Sequence, residues 1–182
     1  MIVYNIHCLN LLDCAFPRIT FSANPLSYSM YKREEASRIR QEFWTTFGRY
    51  MSPILSSEGM KINWVNYHTR VKDVHFRMHS GAKSAAIFIS IEHTDPNIRG
   101  LYFEQFIELK TVLHDTLQEE WWWEPNETVE DNKVIGKIYK EISGVSVFNK
   151  EHWHELISFF KPRMIALDAF WENAKWSFEG LK

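Results

Sequence analysis

A chain of 182 residues, 45 % hydrophobic and 24 % charged, is the size of one domain with one core. Its formal charge of −2 excludes a global basic field, and with it strong non-specific nucleic-acid binding, although a local basic patch is still compatible. No stretch approaches the ~18 uncharged apolar residues of a membrane span, and the only cysteines, Cys8 and Cys14, make neither a disulfide framework nor a zinc site, so a cytosolic, reducing compartment is expected.

Residues 1–29 show no period of 2 or 3.6, include Pro17 and Pro25, and lack the basic start of an export signal. They read as a poorly structured extension, with a single globular domain over residues 30–182. A first helix is expected over about residues 32–51, where Ala36, Ile39, Phe43, Phe47 and Tyr50 recur at helical spacing. Ser52-Pro53 closes it, because proline disfavours the helical conformation in the residue before it.

Three strands are expected next. Residues 62–67 form the first. Residues 73–79 form the second, with Val74, Phe76 and Met78 on one face and His75, Arg77 and His79 on the other. Residues 85–91 are a continuous apolar run and predict a central strand covered on both faces. A helix then opens at Asp95-Pro96, a cap followed by a proline at the first helical position, and carries Ile98, Tyr102, Phe106, Leu109, Leu113 and Leu117 as its stripe. Trp121-Trp122-Trp123 reads as a strand in which Trp122 faces away from its neighbours. An acidic loop covers residues 124–133, a strand residues 134–142, and a short last strand residues 145–148. Asn149 caps a final helix, which Pro162 kinks or divides. The expected class is α+β, in the order α-β-β-β-α-β-β-β-α, with one mixed sheet flanked by helices.

Three helical segments carry a family resemblance. They are Arg40-Gln41-Glu42-Phe43-Trp44 with Phe47 and Tyr50; Leu101-Tyr102-Phe103-Glu104-Gln105-Phe106 with Leu109-Lys110; and residues 159–168, Phe-Phe-Lys-Pro-Arg-Met-Ile-Ala-Leu-Asp, with Phe170-Trp171. Through them residues 30–182 resemble a bacterial family, domain of unknown function 4268. The resemblance implies a small α/β domain, found alone or behind nuclease-like domains in longer chains, with Met30 as its natural start. It brings no established catalytic residues.

The leading α-β-β-β-α-β order is that of a restriction-endonuclease-like core. Such an enzyme would hold Mg²⁺ with hard oxygen ligands from successive strands and a nearby lysine. Asp73 and Glu92 stand at suitable strand ends, with Glu35 or Glu42 of the first helix as a third acid, but Thr94 occupies the place of the lysine. Catalysis is therefore not expected, and a metal-dependent nuclease relative with a displaced or lost site is the alternative. His75 and His79 would lie about 13 Å apart at ~3.3 Å per residue, with Arg77 between them, too far to share a metal. With Arg70 and Lys72 just upstream, they mark instead a polar face able to bind an anion. His93, within Glu92-His93-Thr94-Asp95, joins that set, because ligands often bind beyond strand ends.

The 13 Phe, 8 Trp and 7 Tyr are unusual, and each ring can bury about 150–250 Å². Most belong in a core. The sharper expectation is an exposed arc of Leu101, Tyr102, Phe103, Phe106, Ile157, Phe159, Phe160, Phe170, Trp171, Trp176 and Phe178 that joins two copies as a homodimer. The expected role is thus a non-catalytic, self-associating binding domain without a cofactor, accessory to nucleic-acid processing.

Overall fold

A computed structural model describes residues 25–178 together with 180 and 181. The first helix, α1, spans Pro25–Met51 and so begins seven residues before its expected start at residue 32. The remainder of the expected extension, residues 1–24, lies outside the described residues, as do both cysteines. Phe43, Phe47 and Met51 recur every four residues and are fully buried, which is why this polar helix docks by one stripe alone.

No strand forms over residues 62–67. The side-chain oxygen of Asn63 accepts the N–H groups of both Val65 and Asn66, and this local turn competes with the extended conformation that the alternation suggested. Residues 52–73 form one long connection instead. It is pinned by indole donors, Trp64 to the Ile54 carbonyl at 3.0 Å and Trp171 to the Thr69 carbonyl at 2.8 Å.

The strands β1, Val74–Ser80, and β2, Ser84–Ile91, form a hairpin that agrees with the alternation. Helix α2, Pro96–Glu108, starts as expected, with the Asp95 carboxylate accepting the N–H groups of Asn97 and Ile98. The single helix expected to reach Leu117 is broken at Leu109, and α3, Lys110–Leu117, packs chiefly on the last helix. β3, Trp122–Thr128, runs five residues further than the tryptophan triplet, into the expected loop. β4 spans Val134–Ser143. Residues 145–148 are not a strand, although Val145 and Val147 are buried and the Val147 N–H reaches the Gly81 carbonyl at 3.1 Å. Helix α4, Trp153–Ala174, runs unbroken through Pro162, and a 3-10 turn, Lys175–Phe178, follows it.

The observed order is therefore α-β-β-α-α-β-β-α. Every strand pairing is antiparallel, in the sheet order β1-β2-β4-β3, where a mixed sheet was expected. The α+β class stands, and the first of the three strands expected for a nuclease-like core does not form over residues 62–67. One sheet face, with Ile87, Ile89, Ile91 and Ile138, packs on the helices. On the other face Ser84, Ala86 and Phe88 are only partly covered, so β2 is central but not enclosed on both sides as its apolar run predicted. Trp121 is buried while Trp122 is 68 % exposed, the opposition expected of neighbours in a strand.

Most of the expected dimer arc lies inside this core. Tyr102, Phe103, Phe106, Phe159, Phe160, Phe170, Trp171 and Phe178 are buried, Ile157 is partly buried, and Leu101 and Trp176 remain exposed. Helices α2 and α4 close on each other within one chain, with the Phe106 and Trp171 rings 6.0 Å apart, and the ring of Phe178, in the turn after α4, packs 4.6 Å from that of Phe106.

Candidate functional site

The connection ahead of β1 ends in four residues held at both ends. Upstream, the Thr69 hydroxyl donates to the Val74 carbonyl at 2.6 Å and accepts the Val71 N–H at 3.3 Å. Downstream, the Asp73 carbonyl accepts the N–H of Glu92 at 2.7 Å, which ties the start of β1 to the end of β2. Between these anchors Arg70 (φ 65°) and Asp73 (φ 64°) adopt left-handed backbone, a conformation costing an L residue about 1–2 kcal/mol. Strain of this kind concentrates where a binding surface needs a fixed shape.

The turn forms one wall of a cleft of about 680 Å³. Arg70, Lys72, Asp73 and His93 supply its polar lining, with Ile98 and Tyr102 of α2 and the C-terminal Phe178 and Leu181 as the apolar part. The Tyr102 hydroxyl donates to the Leu181 carbonyl at 2.8 Å and so holds the C-terminal segment against α2. His93 is oriented by its neighbours. Its Nδ1 accepts the Asp95 N–H at 3.0 Å, so in the neutral ring the proton sits on Nε2, 3.9 Å from the Asp73 carboxylate. The buried Arg99 fixes the backbone there by donating to the His93 carbonyl at 3.0 Å. Because Asp95 takes the first free N–H groups of α2, the cations of the cleft come from side chains. Arg70 is 69 % exposed and only 3.9 Å from Glu58, and Lys72 has no ion-pair partner among the described residues.

Arg70, Lys72, Asp73 and His93 are thus brought together, whereas the other candidates lie elsewhere. His75, Arg77 and His79 face outward from β1, where Arg77 clamps Glu92 with its Nε and Nη2 at 3.1 and 2.9 Å. Lys133 adds a contact to Glu92 at 2.6 Å, and the Ser90 hydroxyl one at 2.8 Å. Burial alone would raise the pKa of Glu92, but these donors outweigh it and hold the carboxyl at about 2. Burial pushes His75 below its ordinary value; the nearby Glu92 opposes this and Arg77 adds to it. Glu42 is paired with Lys150, and Glu35 is exposed on α1. Asp73 and Glu92 do sit side by side, but Glu92 is engaged by two cations. Among the described residues no three His, Cys, Asp or Glu are grouped to hold a metal ion.

Sequence reasoning missed two features of this region. The apolar half of the cleft depends on residues distant in the chain, with no local signal. Asp168, in contrast, had one: it is a lone acid at helical spacing between the apolar Met164 and Trp171. It is buried, and its two oxygens accept the Ser57 N–H and hydroxyl at 2.6 and 2.7 Å and the Tyr67 hydroxyl at 2.8 Å, which anchors the long connection to α4.

A family model, Domain of unknown function (DUF4268), matches residues 39–175, and the chain belongs to that family. No curated protein matches the chain, and no solved structure does. The matched range includes the polar wall of the cleft and stops short of Phe178 and Leu181.

Proposed function

We propose that this domain binds rather than catalyses, and that the cleft beside residues 70–73 takes a small molecule bearing a phosphate or carboxylate group. The observation that carries the reading is the meeting of Arg70, Lys72 and His93 at one cleft of about 680 Å³ with an apolar far wall. That size and mixed lining are usual for a small-molecule site. The anionic group lies against Arg70 and Lys72. Asp73 and the His93 Nε2–H receive a hydroxyl or amino group of the ligand, and its least polar part rests on Ile98 and Tyr102. A nucleotide has this distribution of groups, which is the form that a role accessory to nucleic-acid processing takes here. A cytosolic location and self-association through exposed side chains such as Leu101 and Trp176 belong to the same proposal.

Calorimetric titration of the full chain with pyrophosphate, adenosine monophosphate and citrate tests the proposal. At least one should bind saturably, with affinity falling as salt rises, and Arg70→Ala or Lys72→Ala should each weaken it about tenfold, the scale of one charge-assisted hydrogen bond. No heat from any of the three at millimolar concentration, or binding unchanged in the double variant, contradicts it. The competing reading, a metal-dependent nuclease, has its own assay. Incubation with Mg²⁺ or Mn²⁺ and DNA or RNA should leave the strands intact, and cleavage lost in Asp73→Ala would replace the binding proposal.

A further inference from the structure

The two edges of the sheet are not alike. β3 carries Pro125 and a register shift between Glu124 and Glu127, both of which discourage the addition of another strand. β1 has neither, and its seven residues pair with β2 in unbroken register. The direction of its free edge follows from Val74, whose N–H reaches the Val71 carbonyl at 3.4 Å and whose carbonyl accepts the Thr69 hydroxyl at 2.6 Å. Both groups therefore point away from β2. The His75 carbonyl is turned the other way and lies 3.5 Å from the Ser90 hydroxyl. Alternation directs the N–H and C=O of Phe76 and Met78 outward like those of Val74. Among the described residues no backbone group from beyond the hairpin bonds to them.

A groove of about 720 Å³ runs beside this edge, between β1, Trp44 of α1, and Tyr67 and His68 of the long connection. His75, Arg77 and Met78 contribute its strand side, and no acidic side chain lines it. Glu92 and Asp73 offset Arg77 and Lys133 around His75, but the Arg77 side chain remains 49 % exposed and lines a groove that has no acid of its own.

We propose that β1 accepts an extended acidic peptide segment as a fifth strand. Its backbone bonds to Phe76 and Met78. Its alternate side chains divide between the two faces, carboxylates beside His75 and Arg77 and apolar groups beside Trp44 and Met78. This surface is separate from the cleft at residues 70–73 and does not depend on it.

The test uses the ¹⁵N-labelled full chain and three capped hexapeptides: alternating Val-Glu, alternating Val-Lys, and Val-Glu N-methylated at every second residue. The Val-Glu peptide should shift the Phe76 and Met78 amide signals and slow their hydrogen exchange. The Val-Lys peptide should bind at least tenfold more weakly, the peptide methylated along its bonding edge should lose binding, and Arg77→Gln should weaken the acidic peptide several-fold. The proposal is overturned by equal responses to both charges, by shifts confined to the Arg70–Asp73 turn, by no response at millimolar peptide, or by Phe76 and Met78 amides that are already protected from exchange in a dimer without peptide.

Discussion

Asp168 carries three hydrogen bonds from a segment more than a hundred residues away, so its removal acts on the long connection rather than on α4 itself. Asp168→Ala strands the Ser57 and Tyr67 donors in a partly buried position and should lower stability by about 2–3 kcal/mol in urea unfolding. Tyr67→Phe, which leaves Asp168 its two Ser57 donors, should cost about 1 kcal/mol. Burial, followed by the hydrogen bond to Asp168, raises the Tyr67 pKa, so this phenol should show no titration in the folded protein at pH values where an exposed tyrosine ionises. Glu92 gives a pH signature of the opposite kind. Its carboxyl sits at about 2 in the folded chain against an ordinary 4.5, so below pH 4.5 the unfolded chain takes up a proton that the folded one refuses. The contribution of Glu92 is therefore complete above that pH and is lost as pH falls toward 2. Unfolding midpoints should drop between pH 5 and pH 3, and Glu92→Gln should flatten that drop; an unchanged slope would show that Arg77 and Lys133 do not stabilise the charged form.

Elements were legible where one local signal had no rival. Asp95-Pro96 opened α2 where expected, and β1 kept its alternation, because cap chemistry and a two-residue period act within a few residues. Residues 62–67 and 145–148 had strand-like sequences, but the Asn63 side chain turned the first, and the second packs Val145 and Val147 without joining the sheet. Arg70, Lys72 and His93 were singled out as anion-binding candidates together with His75, Arg77 and His79, but only the first three line the cleft. Left-handed backbone at Arg70 has no signature in its side chain, aspartate, as at Asp73, adopts it more readily than most residues without signalling it, and the apolar half is assembled by contacts of high sequence separation. Gly136 of β4 tests the packing between layers. A Cβ there would lie 3.0 Å from the Phe103 ring of α2 and 3.4 Å from Ile91, so Gly136→Ala should force α2 outward and cost about 1–3 kcal/mol. A melting temperature equal to that of the unaltered chain would show that the layers repack freely.

At the scale of the whole molecule the aromatic content is accounted for mainly by the interior. The rings of α2, α4 and the last turn interlock there, and Trp171 also reaches out to hold the Thr69 carbonyl beside the cleft. Core and site are therefore joined: α4 fixes the long connection through Asp168 and Trp171, and the connection presents Arg70, Lys72 and Asp73. Among the described residues no helix is long and apolar enough to cross a membrane. Sedimentation at micromolar concentration bears on self-association, where a species of 21.7 kDa is a monomer. Trp176→Glu and Leu101→Glu, both at exposed positions, are the substitutions that should dissociate a dimer without unfolding the chain. The most direct measurement of the central claim is a ¹⁵N NMR titration of the full chain with adenosine monophosphate, followed through the backbone amides and the His93 ring. The binding account predicts saturable shifts at Arg70, Lys72, Asp73 and His93, reduced at least tenfold in apparent affinity by Lys72→Ala; shifts confined to other surfaces, or none at millimolar nucleotide, would contradict it.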